Sequence, residues 1–153
     1  MNEKRRFLEE NGFYITTPAG ESMLPFIVGG QDLVTVVPFN QPPRKHDAVL
    51  YCRENGEHVI HRIVGKRGEC YLLRGDNCYY TERVSGQALL GLAVRVRRKD
   101  KEYDLEQDRG YRFAVRLWCA IYPFRWLLNL FKRGGRWLWR KCFGRRNGNE
   151  TKA

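Results

Sequence analysis

The sequence lacks any stretch approaching the roughly 18 uncharged apolar residues of a membrane-spanning helix, so no spanning segment is expected. Met1 to Glu10 is charged and no long apolar run follows it, so no secretory signal is expected either. The five cysteines (52, 70, 78, 119 and 142) are odd in number and show no CxxC spacing. That argues against a disulfide framework or a zinc site and reads as ordinary thiols in a reducing compartment. No internal repeat or low-complexity tract is visible, and no cofactor or metal is expected.

Acid is also scarce where it would matter most. Residues 1–108 hold 16 Lys and Arg against 16 Asp and Glu, whereas residues 109–153 hold 12 basic residues and one acid, Glu150. The net charge of +11 therefore belongs to the tail, which points to an acidic partner for that segment, either anionic lipid or nucleic acid. Hydrophobic residues at 42% and charged residues at 29% indicate a folded chain, and 153 residues suffice for one domain with an appendage.

Residues 3–11 read as a short helix or arm, with Phe7 and Leu8 its apolar contribution. Phe13–Thr17 is a brief extended segment, and Leu33–Val37 is a β-branched strand ended by Pro38. Ala48–Arg53 and His58–Val64 flank a Glu54-Asn55-Gly56 hairpin turn. Tyr71–Arg74 runs into Gly75-Asp76-Asn77, and Ala88–Val96 and an edge segment Glu102–Leu105 complete the set. Short strands at this spacing predict a mostly β domain over 13–107. From Tyr111 onward aromatics and leucines mix with Arg and Lys, which predicts amphipathic helices over about 109–122 and 124–133, broken at Pro123 and Gly134-Gly135. The basic aromatic region runs over 108–146, and 147–153 is expected to fray.

Ser22 lies in Gly20-Glu21-Ser22-Met23-Leu24-Pro25, a tight turn with a stiff exit. A serine hydroxyl is a poor nucleophile without a base to take its proton. His61 is the candidate base: strand alternation puts it on one face with Val59 and Ile63, where partial desolvation favours the neutral imidazole. A half-buried histidine satisfied by a hydrogen bond is the bland alternative. Asp76 either shapes its turn or orients His61 as a third triad member would. His46 and His58 read as loop and solvent-face residues and receive no role.

In order, Ser22-Met23-Leu24-Pro25, Gly29-Gly30-Gln31-Asp32-Leu33-Val34, His61-Arg62-Ile63-Val64, Gly75-Asp76-Asn77 and Leu90-Gly91-Leu92-Ala93 resemble the boxes of type I signal peptidases. The similarity covers roughly residues 13–105 and is to the histidine-using branch, as in endoplasmic-reticulum and sporulation-type enzymes. It implies a signal-peptidase/LexA-like β-fold, a Ser22/His61 dyad with Asp76 as the orienting group, and cleavage of a leader segment after a small residue. It also implies that the Ser22 backbone N–H binds the oxyanion and that the substrate lies extended against a strand edge. Related enzymes often carry a serine two positions before the nucleophile, where this chain has Gly20, and they carry an N-terminal membrane anchor, which is not expected here.

The tail is expected to lie on an anionic membrane surface through residues 109–146, with Trp and Phe at the interface and Arg and Lys on the headgroups. The expected location is thus peripheral to a membrane, its cytoplasmic face favoured, with nucleic acid the weaker partner. The competing reading is a non-catalytic peptide-binding or regulatory LexA-like module with a lipid- or nucleic-acid-binding basic tail. The roughly 20 residues ahead of Ser22 are too few for the three-helix DNA-binding domain of such repressors.

Overall fold

The computed structural model describes residues 3–130. Helix α1 (Glu3–Asn11) is followed by strands β1 (Tyr14–Thr16), β2 (Leu33–Val37), β3 (Ala48–Cys52), β4 (His58–Arg67), β5 (Cys70–Arg74), β6 (Glu82–Ser85), β7 (Leu89–Arg98) and β8 (Lys101–Asp104). Helix α2 (Arg109–Ala120) comes after the last strand. The eight strands form one antiparallel sheet, seven of them in the order β1-β2-β7-β3-β4-β5-β6 and β8 paired with β7. β7 is the spine: β2 lies on one flank, while the other is shared by β3 at Leu89–Leu92 and β8 at Arg95–Arg98.

The strands form where β-branched and aromatic residues alternate, and the central ones bury both faces. Val34, Val36, Ala48, Leu50, Ile60, Leu90 and Val96 pack with Leu8 of α1, Met23, Ile27 and Leu105. Val49, Tyr51, Ile63, Leu73, Val84 and Leu89 make a second cluster on the other face of β3 and β4. Gly91 is where the first cluster closes, its Cα lying against the Val37 carbonyl and Val36, with Leu8 just beyond.

β6 is a strand that the residue pattern does not announce. Glu82-Arg83-Val84-Ser85 buries only Val84, so it carries no apolar run. Pairing with β5 from Cys70↔Ser85 to Leu73↔Glu82 creates it. The expected N-terminal helix is present, although Leu8 alone is its buried residue; Phe7 stays half exposed beside the edge of Tyr14.

A compact unit ends at Cys119 and a second begins at Ala120. Helix α2, expected as part of the tail, packs into the first: Asp108 caps it through Tyr111 N–H (3.0 Å), Val115 is buried, and Tyr111 and Trp118 meet the ring of Phe26 edge-on. In the second unit residues 122–130 are helical, with Pro123 in the first turn, where its missing N–H is harmless. The end of the expected 124–133 helix, the basic aromatic stretch to 146 and the 147–153 terminus lie outside the described residues.

Gly91→Ala tests the close approach at β7. Its Cβ would sit 2.6 Å from the Val37 carbonyl oxygen and 2.7 Å from Val36 Cγ1. A loss of about 1–3 kcal/mol in unfolding free energy, read from denaturant titration, is expected.

Candidate active site

Ser22 sits on the loop between β1 and β2, and that loop is fastened at several points. Gly20 takes the left-handed conformation (φ +77°), and Gly30 N–H donates to the Pro18 carbonyl at 2.8 Å. A side chain at Gly29 would collide with the Gly20 carbonyl, so glycine is required where the two limbs of the loop cross. Met23 and Ile27 are buried in the core on the far side of the serine. At the exit, buried Asp32 accepts from Val28 N–H (2.8 Å) and from Arg98 (2.7 and 2.8 Å). Burial would raise its pKa, but these donors hold the carboxyl below its ordinary value.

The Gly75-Asp76-Asn77 turn clamps the backbone at Ser22 itself. Asn77 N–H donates to the Ser22 carbonyl (2.8 Å), and its side chain reaches the Glu21 carbonyl (3.3 Å). Gly75 lies directly against Ser22: a Cβ there would stand 3.0 Å from Ser22 Cβ. β4 and β5 pair up to Arg62↔Arg74, the residues that directly follow His61 and directly precede Gly75. Ser22 thus packs on the turn that follows β5, and Ser22 and His61 both line one cleft of about 410 Å³.

His61 is almost fully buried, at 1% exposure. Burial lowers its pKa to about 4, with the nearby Glu82 carboxylate pulling the other way, so the imidazole is neutral near pH 7. Its Nδ1 stands 3.1 Å from Tyr51 Oη and 3.4 Å from Glu82 Oε1. Tyr51 donates its one proton to Glu82 Oε2 (2.9 Å), and burial and that carboxylate hold the phenol well above its ordinary pKa. Glu82 is kept ionised despite burial by Arg53, which binds both its oxygens (2.6 and 2.9 Å), and by Tyr51. In that arrangement both groups facing Nδ1 accept. With the Tyr51 proton on Glu82, this arrangement favours the proton on Nδ1 and the lone pair on Nε2.

Asp76 has a different partner. Its two oxygens accept from Arg62 Nε and Nη2, each at 2.7 Å, in a pair buried on both sides, and its backbone carbonyl accepts from Trp118 Nε1 (2.9 Å). The geometry gives the orienting position at Nδ1 to Tyr51 and Glu82, and makes Asp76 the support of the turn that holds Ser22. The sequence offers little sign of this. Tyr51 shares the His61 face by strand alternation, but Glu82 lies 31 residues beyond Tyr51 on a strand with no apolar pattern. His58, read as a solvent-face residue, also lines the cleft, and His46 has a left-handed backbone (φ 79°) with its carbonyl accepting from Arg62.

Two strand edges border the cleft. β1 ends the sheet, pairing with β2, and its continuation Thr17–Gly20 forms one wall. His58–His61 form part of the opposite wall; they pair with β3, while the register with β5 begins at Arg62. No metal-binding group of His, Cys, Asp and Glu is found among the described residues. Compared with protein-family models and with curated proteins, the chain matches none.

Glu82→Gln removes the carboxylate that opposes desolvation of His61 and replaces an acceptor with a group that can donate. The His61 pKa is expected to fall further below about 4, and the preference for the Nδ1–H tautomer to weaken. Imidazole ¹⁵N shifts recorded against pH read both effects, and unchanged shifts would show that Glu82 does not act on the ring.

Proposed function

We propose that the chain is a serine endopeptidase of the signal-peptidase/LexA-like type, cleaving a leader segment after a small residue at the surface of a membrane. One observation carries the reading. Ser22 and His61 wall the same cleft, and the acceptors around Nδ1 leave the basic nitrogen of a neutral imidazole as Nε2. The ordered sequence boxes support it independently, since the Gly75-Asp76-Asn77 box grips the serine loop and the His61-Arg62 box supplies both the base and the cation that binds Asp76.

In this mechanism Ser22 Oγ attacks the scissile carbonyl while His61 Nε2 takes its proton. The imidazolium is stabilised by Glu82 facing Nδ1 and returns the proton to the leaving amine. Water then repeats the sequence on the acyl-enzyme ester. The Ser22 N–H is the assigned oxyanion donor, and Gly20 offers no hydroxyl as a second. Losing one such donor costs about 10²–10³ in rate, so slow turnover is expected. An extended substrate fits between the rim of β1 and the His58–His61 edge, paired through its backbone.

Exposed Phe113 and Leu117 on α2, and Phe124, Trp126, Leu127, Leu128 and Leu130 beyond it, support attachment to a lipid surface beside basic residues. Among the described residues no helix is long and apolar enough to cross a membrane. Gly20 also favours a second reading, a peptide-binding relative that does not cleave. A fluorophosphonate probe separates the two, since only an activated serine forms the adduct.

Ser22→Ala and His61→Ala are each expected to abolish cleavage of a small-residue leader peptide and probe labelling, with the circular dichroism of the sheet unchanged. Normal cleavage by either variant would remove that residue from the mechanism. Deleting residues 121–153, which spares the packed helix α2, is expected to weaken sedimentation with anionic vesicles by at least about 10-fold while soluble-peptide cleavage persists.

A further inference from the structure

We propose that a second cleft, between the loop 41–47 and α2, binds the phosphate headgroup of an anionic phospholipid. The inference rests on the membrane-surface part of the reading above and names the site at which the folded unit itself meets lipid.

The cleft encloses about 350 Å³ and is separate from the Ser22 cleft. Arg44 and Lys45 stand on its loop wall and Arg112 and Arg116 on its helix wall. Two acids, Asp47 and Glu106, share it with these four cations, which leaves a surplus of positive charge. Asp47 accepts from Arg44 N–H at 2.7 Å, and Arg112 reaches the backbone carbonyl of Glu106, at 3.3 Å. Among the described residues no ion pair to Lys45 or Arg116 is found. Uncompensated cations that line a concave surface raise the local concentration of anions. The loop is set firmly in place: His46 is fixed by its N–H to Ile63 (2.8 Å) and by Arg62 on its carbonyl (2.8 Å). Its imidazole registers the surplus charge. Burial lowers its pKa first, then Lys45, Arg62 and Arg116 lower it further, against Asp47 alone.

The helix determines which phosphate. Successive residues are offset by about 100° around α2, so the cationic stripe at Arg109, Arg112 and Arg116 lies beside an apolar one at Phe113 and Leu117. Phe113 is 68% and Leu117 53% exposed, although both are large and apolar. A free phosphate has no use for that stripe. A phospholipid uses both, with its headgroup in the cleft and acyl chains along Phe113 and Leu117.

The test uses the full chain and vesicles of phosphatidylcholine with or without one-third phosphatidylglycerol. The double variant Lys45→Ala/Arg116→Ala is expected to weaken binding to the anionic vesicles by about 10-fold or more. The control Arg95→Ala/Arg97→Ala removes equal charge from β7 and is expected to change it by less than about 2-fold. Soluble dihexanoyl phosphatidylglycerol, titrated below its micelle concentration, is expected to shift the His46 imaging of the cleft by NMR, its ring resonances moving saturably in the parent and not in the double variant. Equal effects of the two double variants on vesicle binding would overturn the proposal, as would inorganic phosphate shifting His46 as strongly as the lipid. If the deletion of 121–153 releases the protein from vesicles while Lys45→Ala/Arg116→Ala does not, the cleft fails and the tail anchor stands.

Discussion

The pairing of Arg62 with Asp76 is the contact through which the rest of the site is held. Two charges taken from water cost several kcal/mol each unless the remaining donors and acceptors are filled. Here they are filled: Arg62 binds both oxygens of Asp76, the His46 carbonyl and Tyr111 Oη, and its guanidinium lies near the rings of Phe26 and Tyr111. Each bond fastens a different part of the protein. Asp76 belongs to the turn that clamps Ser22, His46 to the loop beside α2, and Tyr111 to α2 itself, while Arg62 follows His61 directly on β4. One buried cation thus fixes the support of the Ser22 loop relative to the strand that carries His61.

A second polar network performs a different task. Arg53, Glu82 and Tyr51 form a chain that ends at His61 Nδ1, and its effect is on the proton rather than on the backbone. Burial alone would leave the imidazole neutral with either tautomer open. The two acceptors at Nδ1 select one. Every buried side-chain nitrogen and oxygen among the described residues has a partner, as expected where buried polar groups persist.

The parts of this arrangement that were legible in the sequence are those with a local cause. Leu33–Val37 and His58–Val64 show strand character in their own residues, and Glu54-Asn55-Gly56 and Gly75-Asp76-Asn77 punctuate the chain as turns do. Ser22 and His61 could be singled out because their local segments fall in order among boxes that resemble those of signal peptidases; alone, a turn serine and a half-buried histidine would not stand out. Their supporting cast has no such mark. Glu82 sits on a strand that exists only by pairing with β5, and nothing near Arg62 in the sequence indicates that it is buried or that it takes Asp76 from the histidine. Tyr111 and Trp118 read as members of an aromatic tail, whereas they close the first unit against Phe26.

β1 is three residues long, and this sets a scale for anything that pairs along its open rim. Alternate residues of an edge strand turn their peptide groups outward, so such a rim supplies only a few backbone bonds. At about 1 kcal/mol net for each, even about four such bonds give a grip no tighter than roughly millimolar before any side chain contributes. An extended segment seated there is held briefly and let go quickly. By this measure the rim is a place of passage, poorly suited to long residence.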